Sequence, residues 1–318
     1  MIKILIATPA YGETFYTPYV SSVIRLQRLM ARNKWDSTFA SIAYADIVES
    51  RNFLLTHWYD KTDATHMLFV DADIGYDPKL IANMVGLRKP IVGVIAPRRQ
   101  IDLNRLAELA AKGEKAESAI ARSHEFLVRP VNRAGAGKPR IVNGFMEVEG
   151  CGAGIMLIER GCVKTMLEKL PQLSDKAAKK TSPLAKNLDR LIRAFEPVTV
   201  DGGRLSEDYS FCHRWRTNCG GEIWANISHQ IIHVGLHRFA GRYQDAMPRG
   251  PRIVVGNVPG KQGASRPTAN PGKTITVKEG ALRAAVAAPK RGVAANPKQV
   301  AARPILSAAT RKEKPNGK

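Results

Sequence analysis

No stretch of this chain approaches the roughly 18 uninterrupted apolar residues that cross a bilayer, so the sequence carries no helical membrane span. Its opening run, Met1-Ile-Lys-Ile-Leu-Ile-Ala-Thr-Pro9, is too short for the apolar core of a secretory signal. It also lacks a small-residue cleavage pattern and is expected to be a strand instead. The four cysteines, Cys151, Cys162, Cys212 and Cys219, form neither a CxxC pair nor a zinc-like spacing. A disulfide framework is therefore not expected, and a reduced, cytoplasmic protein is. There is no GxGxxG, the usual fingerprint of a dinucleotide fold, and no internal repeat.

Acidic residues are scarce: 28 Asp and Glu stand against 49 Lys and Arg, a formal net charge of +21. A surplus of that size suggests nucleic acid, but its distribution matters more than its sum. Residues 249–318 hold 15 Lys/Arg against 2 acids, and they are rich in Pro, Gly and Ala. Outside 275–286 they show little periodicity, so too little apolar surface is available to offset the entropy of ordering. We expect a disordered basic tail there. Its charge suits anionic membrane surfaces or nucleic acid, although a solvated tail with no specific partner is the plainer expectation.

What remains, residues 1–248 of a chain of 318, is enough for one large α/β domain, and 44% apolar content is ordinary for one. Strand and helix patterns alternate along it. Strands are expected over 3–8, 37–44, 67–70, 91–96, 141–149, 155–159 and 222–226. Helices are expected over 17–32, 47–58, from Asp77-Pro78 onward, and over 102–113, 163–170 and 208–216. Within 114–138 only 125–131 looks strand-like, and the lysine-rich 174–189 reads as a mobile loop or an exposed helix.

The segment Met67-Leu-Phe-Val-Asp-Ala-Asp-Ile-Gly-Tyr76 is the most informative. Four apolar residues, the length of a buried parallel strand, run into Asp71 and Asp73. Open α/β sheets place ligands at that end of a strand, and two carboxylates there suit a divalent cation holding phosphate oxygens. An acidic loop cap is the structural alternative. Thr8-Pro-Ala-Tyr-Gly-Glu13 would present a strand–turn at the same edge. Arg51, in the preceding helix, has a guanidinium fork that matches either a phosphate or those carboxylates. Gly150-Cys-Gly-Ala-Gly154 permits close approach, of a sugar or of another part of the chain. Ser206-Glu-Asp208 reads as a helix start, with Ser206 as cap. His233, after Ile231-Ile232, is placed to complete a metal site with the aspartates. His229 and His237 are expected to be structural.

In this order, the turn at 8–13, Arg51-Asn52, Phe69-Val-Asp-Ala-Asp73, the small-residue turn at 152–154, Ser206-Glu-Asp208 and His233 resemble a GT-A nucleotide-sugar glycosyltransferase of the broad family-2-like kind. The resemblance covers roughly residues 1–245. It implies a GT-A-type Rossmann-like mixed sheet flanked by helices, and transfer of a sugar from a nucleoside-diphosphate sugar, by default a UDP-sugar, to an acceptor hydroxyl with inversion. Asp71, Asp73 and His233 would hold Mn²⁺ or Mg²⁺. Thr8, Pro9, Ala10, Tyr11, Glu13, Arg51, Asp71 and Ala72 would contact the nucleotide-sugar. Gly152, Ala153 and Gly154 would form an acceptor or donor-sugar loop, and Asp208, with Glu207 close behind, would be the base. The chain departs from the family at its first turn, Pro9-Ala-Tyr-Gly-Glu13. It also lacks a clear Gln-x-x-Arg-Trp motif, although Arg214-Trp215 follows Asp208. Two alternatives stand beside this reading. Leu68-Phe-Val-Asp-Ala-Asp73 also fits the nucleophile strand of a haloacid-dehalogenase-like phosphatase, and a nucleic-acid-associated role would work through the tail.

Overall fold

A computed structural model describes residues 1–131 and 138–236, and the backbone of 305–307. In chain order its main elements are β1 (Lys3–Pro9), α1 (Thr17–Arg32), β2 (Asp36–Ile42), α2 (Ile47–Lys61), β3 (His66–Val70), β4 (Ile74–Tyr76) and α3 (Pro78–Gly86). These are followed by β5 (Ile91–Val94), β6 (Pro97–Ile101), β7 (Phe145–Gly150), β8 (Ile155–Glu159), α4 (Arg160–Lys169), α5 (Glu207–His213), β9 (Ile223–Asn226) and β10 (Ile231–His233).

The chain steps outward from β1 to β2 and then back across β1 to β3, with both pairings parallel. A strand order that reverses in this way opens a crevice beyond the carboxyl ends of β1 and β3. β8 then enters antiparallel to both β3 and β5, and the sheet continues through β9 to β7, giving the order β2-β1-β3-β8-β5-β9-β7. This is the expected mixed sheet flanked by helices. Its strands alternate between two buried faces. Leu5, Met67, Phe69, Met156 and Ile158 pack with Phe53, Leu54 and Trp58 of α2. Ile4, Ile6, Leu68, Val70 and Leu157 pack with Leu26 and Met30 of α1 and Leu80 of α3. Because both faces of β3 are covered, its sequence is uninterrupted in apolar residues.

Asp46 caps α2 by accepting from the amides of Val48 and Glu49, and Asp77 caps α3 by accepting from Lys79. Arg160 closes the other end of α2. Its guanidinium donates to the carbonyls of Ala64, Tyr59, Trp58 and Thr62 at 2.7–3.0 Å and lies over the Trp58 and Tyr59 rings. The last carbonyls of a helix need such partners, and a cation complements the dipole there.

Three expectations are corrected. Residues 116–122 form a helix, Ala116–Arg122, which buries Ala119. The segment over 174–189, expected as a mobile loop or an exposed helix, is not exposed throughout: Ala178, Leu184, Ala185 and Leu188 are buried between exposed lysines. Lysine content concealed these apolar positions, which pack on the α2 face of the sheet. The helix expected over 208–216 ends at His213 and passes into a wider turn, Arg214–Asn218. The expected tail at 249–318 lies outside the described residues except at Ile305–Ser307, which pairs antiparallel with β2. No helix among the described residues is long and apolar enough to cross a membrane.

Replacing Arg160 with Met keeps the packing stem and removes the carbonyl partners. It should lower unfolding stability by about 2 kcal/mol, read as a reduced urea midpoint at unchanged m-value.

Candidate active site

The loop Asp71-Ala72-Asp73 leaves the carboxyl end of β3 and forms a ridge between two clefts. The larger, of about 460 Å³, is lined by Pro9, Tyr11, Tyr44, Ala72, Asp73 and Arg99, among others. The smaller, of about 320 Å³, is lined by Arg51, Gly152, Asp208, Tyr209, Arg98 and His233, among others. Asp71 borders both. The ridge is fixed by backbone hydrogen bonds from Asp71 N to Gly154 O, from Tyr16 N to Ala72 O, and from Val234 N to Asp73 O.

Arg51 is only 3% exposed. It projects from α2, stands 6.0 Å from the Phe69 ring centre, and places one terminal nitrogen 3.2 Å from each oxygen of Asp71. Its other terminal nitrogen is 3.1 Å from Glu207. Burial raises the Asp71 and Glu207 carboxyls above the ordinary range. Arg51 opposes that rise, while neighbouring acids, Asp208 among them, add to it. One buried cation therefore serves more than one carboxylate. Asn52, the neighbour of Arg51, faces the other way: its side chain accepts from Phe195 N at 2.9 Å and donates to Glu196.

His233 arrives through pairing of β10 with β4, which sets it opposite Ile74, the neighbour of Asp73. Its Nδ1 is 2.8 Å from the Pro97 carbonyl, and its Nε2 is 3.5 Å from Asp73 Oδ2. A carbonyl only accepts, so Nδ1 carries hydrogen and Nε2 faces the carboxylate. Arg99 donates to the same Oδ2 at 3.1 Å. Burial pushes Asp73 up, but the His233 imidazole and Arg99 prevail and hold it below the ordinary carboxylate value; the Asp73 contact raises His233. The expected cluster of Asp71, Asp73 and His233 is thus divided. Asp73 meets His233, whereas Asp71 turns to Arg51. Among the described residues no three His, Cys, Asp or Glu side chains stand together as a ready metal cage.

The small-residue turn presses against both acids. A Cβ on Gly154 would lie 2.6 Å from Ile74 Cδ1 and 3.4 Å from Asp71 Oδ2, and one on Gly152 would lie 3.4 Å from Asp208 Oδ2. Ala153 is buried in the core and contributes backbone only. Ser206 does not cap α5 through its side chain; its hydroxyl donates to Asp208 Oδ1, which also accepts from Tyr209 N at 2.7 Å. In the first turn, Pro9 and Tyr11 face the larger cleft. Thr8 is fully buried against the Tyr19 hydroxyl at 2.6 Å, Ala10 is buried, and Glu13 is exposed. Thr8 and Ala10 therefore support the turn from within. Arg214 is structural, donating to the carbonyls of Ala194 and Glu196. His229 contacts Asn83, and His237 lies outside the described residues.

Arg98, Arg99 and Tyr209 were not singled out from sequence. A pair of arginines directly after a buried strand was the available signal.

No family model and no curated protein sequence matches this chain. Among solved structures, A197 from STIV aligns with 74% of this chain and 86% of its own at 15% identity and a TM-score of 0.38. Mouse xyloside xylosyltransferase 1, in its apo form, aligns with 59% of this chain and 72% of its own at 12% identity and a TM-score of 0.22. At such scores neither likeness bears on the chemistry, which rests on the residues above.

Arg51→Met leaves Asp71 and Glu207 without their cation. It should cost about 3 kcal/mol of unfolding stability, the low end for a broken buried pair because Asp71 keeps 29% of its side-chain surface exposed. Adding Glu207→Gln should recover part of that loss in chemical denaturation.

Proposed function

We propose that this chain is a cation-assisted glycosyltransferase using a nucleoside-diphosphate sugar. The observation that carries the reading is the meeting of two clefts at one acidic ridge, with Asp208 in one cleft and Arg99 in the other. Each half of a transfer reaction then has its own compartment. Tyr11 and Tyr44 offer aromatic surface to a nucleobase in the larger cleft, and Arg99 offers a fork to the diphosphate. The acceptor occupies the smaller cleft.

Asp208 is the better base of the two adjacent acids. Glu207 is tied to Arg51, whereas Asp208 has Oδ1 fixed by Ser206 and Tyr209 N and keeps Oδ2 toward Gly152. The acceptor hydroxyl gives its proton to Asp208 as its oxygen bonds to the sugar's anomeric carbon. The bond from that carbon to the diphosphate oxygen breaks, and its electron pair leaves with the nucleoside diphosphate. Attack from the face opposite the leaving group gives inversion.

The donor set at the ridge suits a cation of the Mn²⁺ or Mg²⁺ kind. His233 Nε2 and Asp73 Oδ2 are both electron-pair donors, 3.5 Å apart, and such a pair needs a proton or a cation between them. One or two carboxylates with substrate phosphates and waters completing the shell is a usual arrangement for Mg²⁺, and here Asp73 is the carboxylate and His233 an added imidazole donor. When bound, the ion supplies Lewis-acid neutralisation of the leaving diphosphate. Proton and ion compete for Nε2, so ion binding strengthens as pH rises through the raised pKa of His233. A phosphatase would instead need Asp71 as a free nucleophile, and that carboxylate is committed to Arg51.

The test is a thermal-shift screen of nucleoside diphosphates with and without Mn²⁺. At a hundredfold excess over Kd, binding should add about 2.7 kcal/mol of stability, only with the ion present, and Asp73→Asn should abolish it. Asp208→Asn should keep the shift and slow transfer by about 10²–10⁴. Absence of any ion-dependent shift in the wild type, or its survival in Asp73→Asn, would refute the reading.

A further inference from the structure

Neighbouring residues of a strand point to opposite sides, and at the start of β6 this divides two arginines between the two clefts. Arg99 lines the larger cleft and pairs with Asp73, while Arg98 lines the smaller one. The Arg98 side chain is 59% exposed, and its contact with Glu125 is a solvent-exposed pair at 3.3 Å, weak enough to exchange. A second guanidinium stands beside the same wall: Arg129 lies over the Tyr209 ring, 5.1 Å from its centre. It is exposed, and no carboxylate among the described residues pairs with it.

Tyr209 follows the proposed base directly and lines the smaller cleft. Its ring is backed by Gly150, where a Cβ would come within 3.0 Å. The residue is 93% buried by its 7% exposure, yet its hydroxyl has no hydrogen-bond partner among the described residues. A buried hydroxyl left so is costly unless a ligand group meets it. The acids deeper in this cleft are already held, Asp71 and Glu207 by Arg51 and Asp208 by Ser206. Arg98 in the lining, held by its exposed pair with Glu125, can exchange that contact for a charge from outside. Arg129 stands over Tyr209 beside it, and Leu127, 53% exposed on the same wall, adds apolar contact.

From this we infer that the smaller cleft takes an acceptor bearing an anionic group, a carboxylate or a phosphate, gripped by Arg98 and Arg129 while its hydroxyl reaches Asp208. The inference names the acceptor class and rests on the transferase reading. Two guanidiniums favour an oxyanion through charge-assisted, fork-shaped hydrogen bonds. A neutral sugar would offer neither guanidinium a charge to exchange for its present contact.

The full chain is titrated calorimetrically with glucose 6-phosphate, glucuronate and methyl glucoside, with UDP and Mn²⁺ present to fill the larger cleft. At least one anion should bind about tenfold or more tightly than methyl glucoside. Preference for glucose 6-phosphate alone identifies a phosphate-bearing acceptor, and preference for glucuronate alone a carboxylate-bearing one. The double variant Arg98→Gln, Arg129→Gln should erase the preference while UDP affinity stays within about twofold, which also reports that it is folded. Equal binding of all three sugars, or a preference that survives in the double variant, overturns the subsite. A chain that binds the anions through these arginines but never binds UDP refutes the donor reading and leaves the anion subsite standing. One that binds UDP without favouring the anions has the reverse consequence.

Discussion

A guanidinium with 3% of its surface exposed, shared between Asp71 and Glu207, links two parts of the chain that are 136 residues apart in sequence. Arg51 is carried on α2, whose far end is closed by Arg160 and whose buried polar side chains, Asn52 and Thr56, hold the strand segment near 192–195. The helix is thus fixed at both ends and along one side. Any shift of α2 would move the cation away from both acids at once. Breaking a buried pair leaves an uncompensated charge, so this contact constrains the ridge and the start of α5 together.

One cation among several acids also sets the electrostatic character of the site. Asp71 and Glu207 are raised by burial and by neighbouring acids, Asp73 and Asp208 for the first and Asp208 and Asp71 for the second, more than Arg51 compensates. Around Asp73 the balance is opposite, with Arg99 and His233 lowering it. The ridge therefore has a committed acid facing inward and an ionised one facing the larger cleft. In the proposed reaction that polarity would put the ion and the diphosphate on one side and proton transfer on the other. Adjacent residues on one strand, Arg98 and Arg99, line opposite clefts because backbone geometry separates them.

The pairing of β4 with β10 is the second constraint. It runs antiparallel over three residues and delivers His233 to Asp73 across 160 positions of sequence. Close packing of Gly154 against Ile74 allows β4 to sit so near the sheet. A larger residue at 154 would push the ridge outward, so the small-residue turn acts through packing as much as through any contact with ligand.

Much of the frame was legible in the residues alone. The apolar run of β3, the cap at Asp77, and the strand–helix alternation follow from local backbone properties, the periodicities of two and 3.6 and the preference of Asp for a helix start. Asp71, Asp73, Arg51, Asp208 and His233 could be named because their residue types suit a cation and a base. Their partners could not. That Asp71 belongs to Arg51 and Asp73 to His233, that Thr8 turns inward to Tyr19, and that 178–188 is buried beneath its lysines all depend on contacts between distant segments. Sheet register and packing fix those contacts, and no local pattern encodes them. The sequence determined which groups were available and that the β3 strand ends at the aspartates; the tertiary structure decided which charge faces which, because Coulombic pairing and burial act through space and not along the chain.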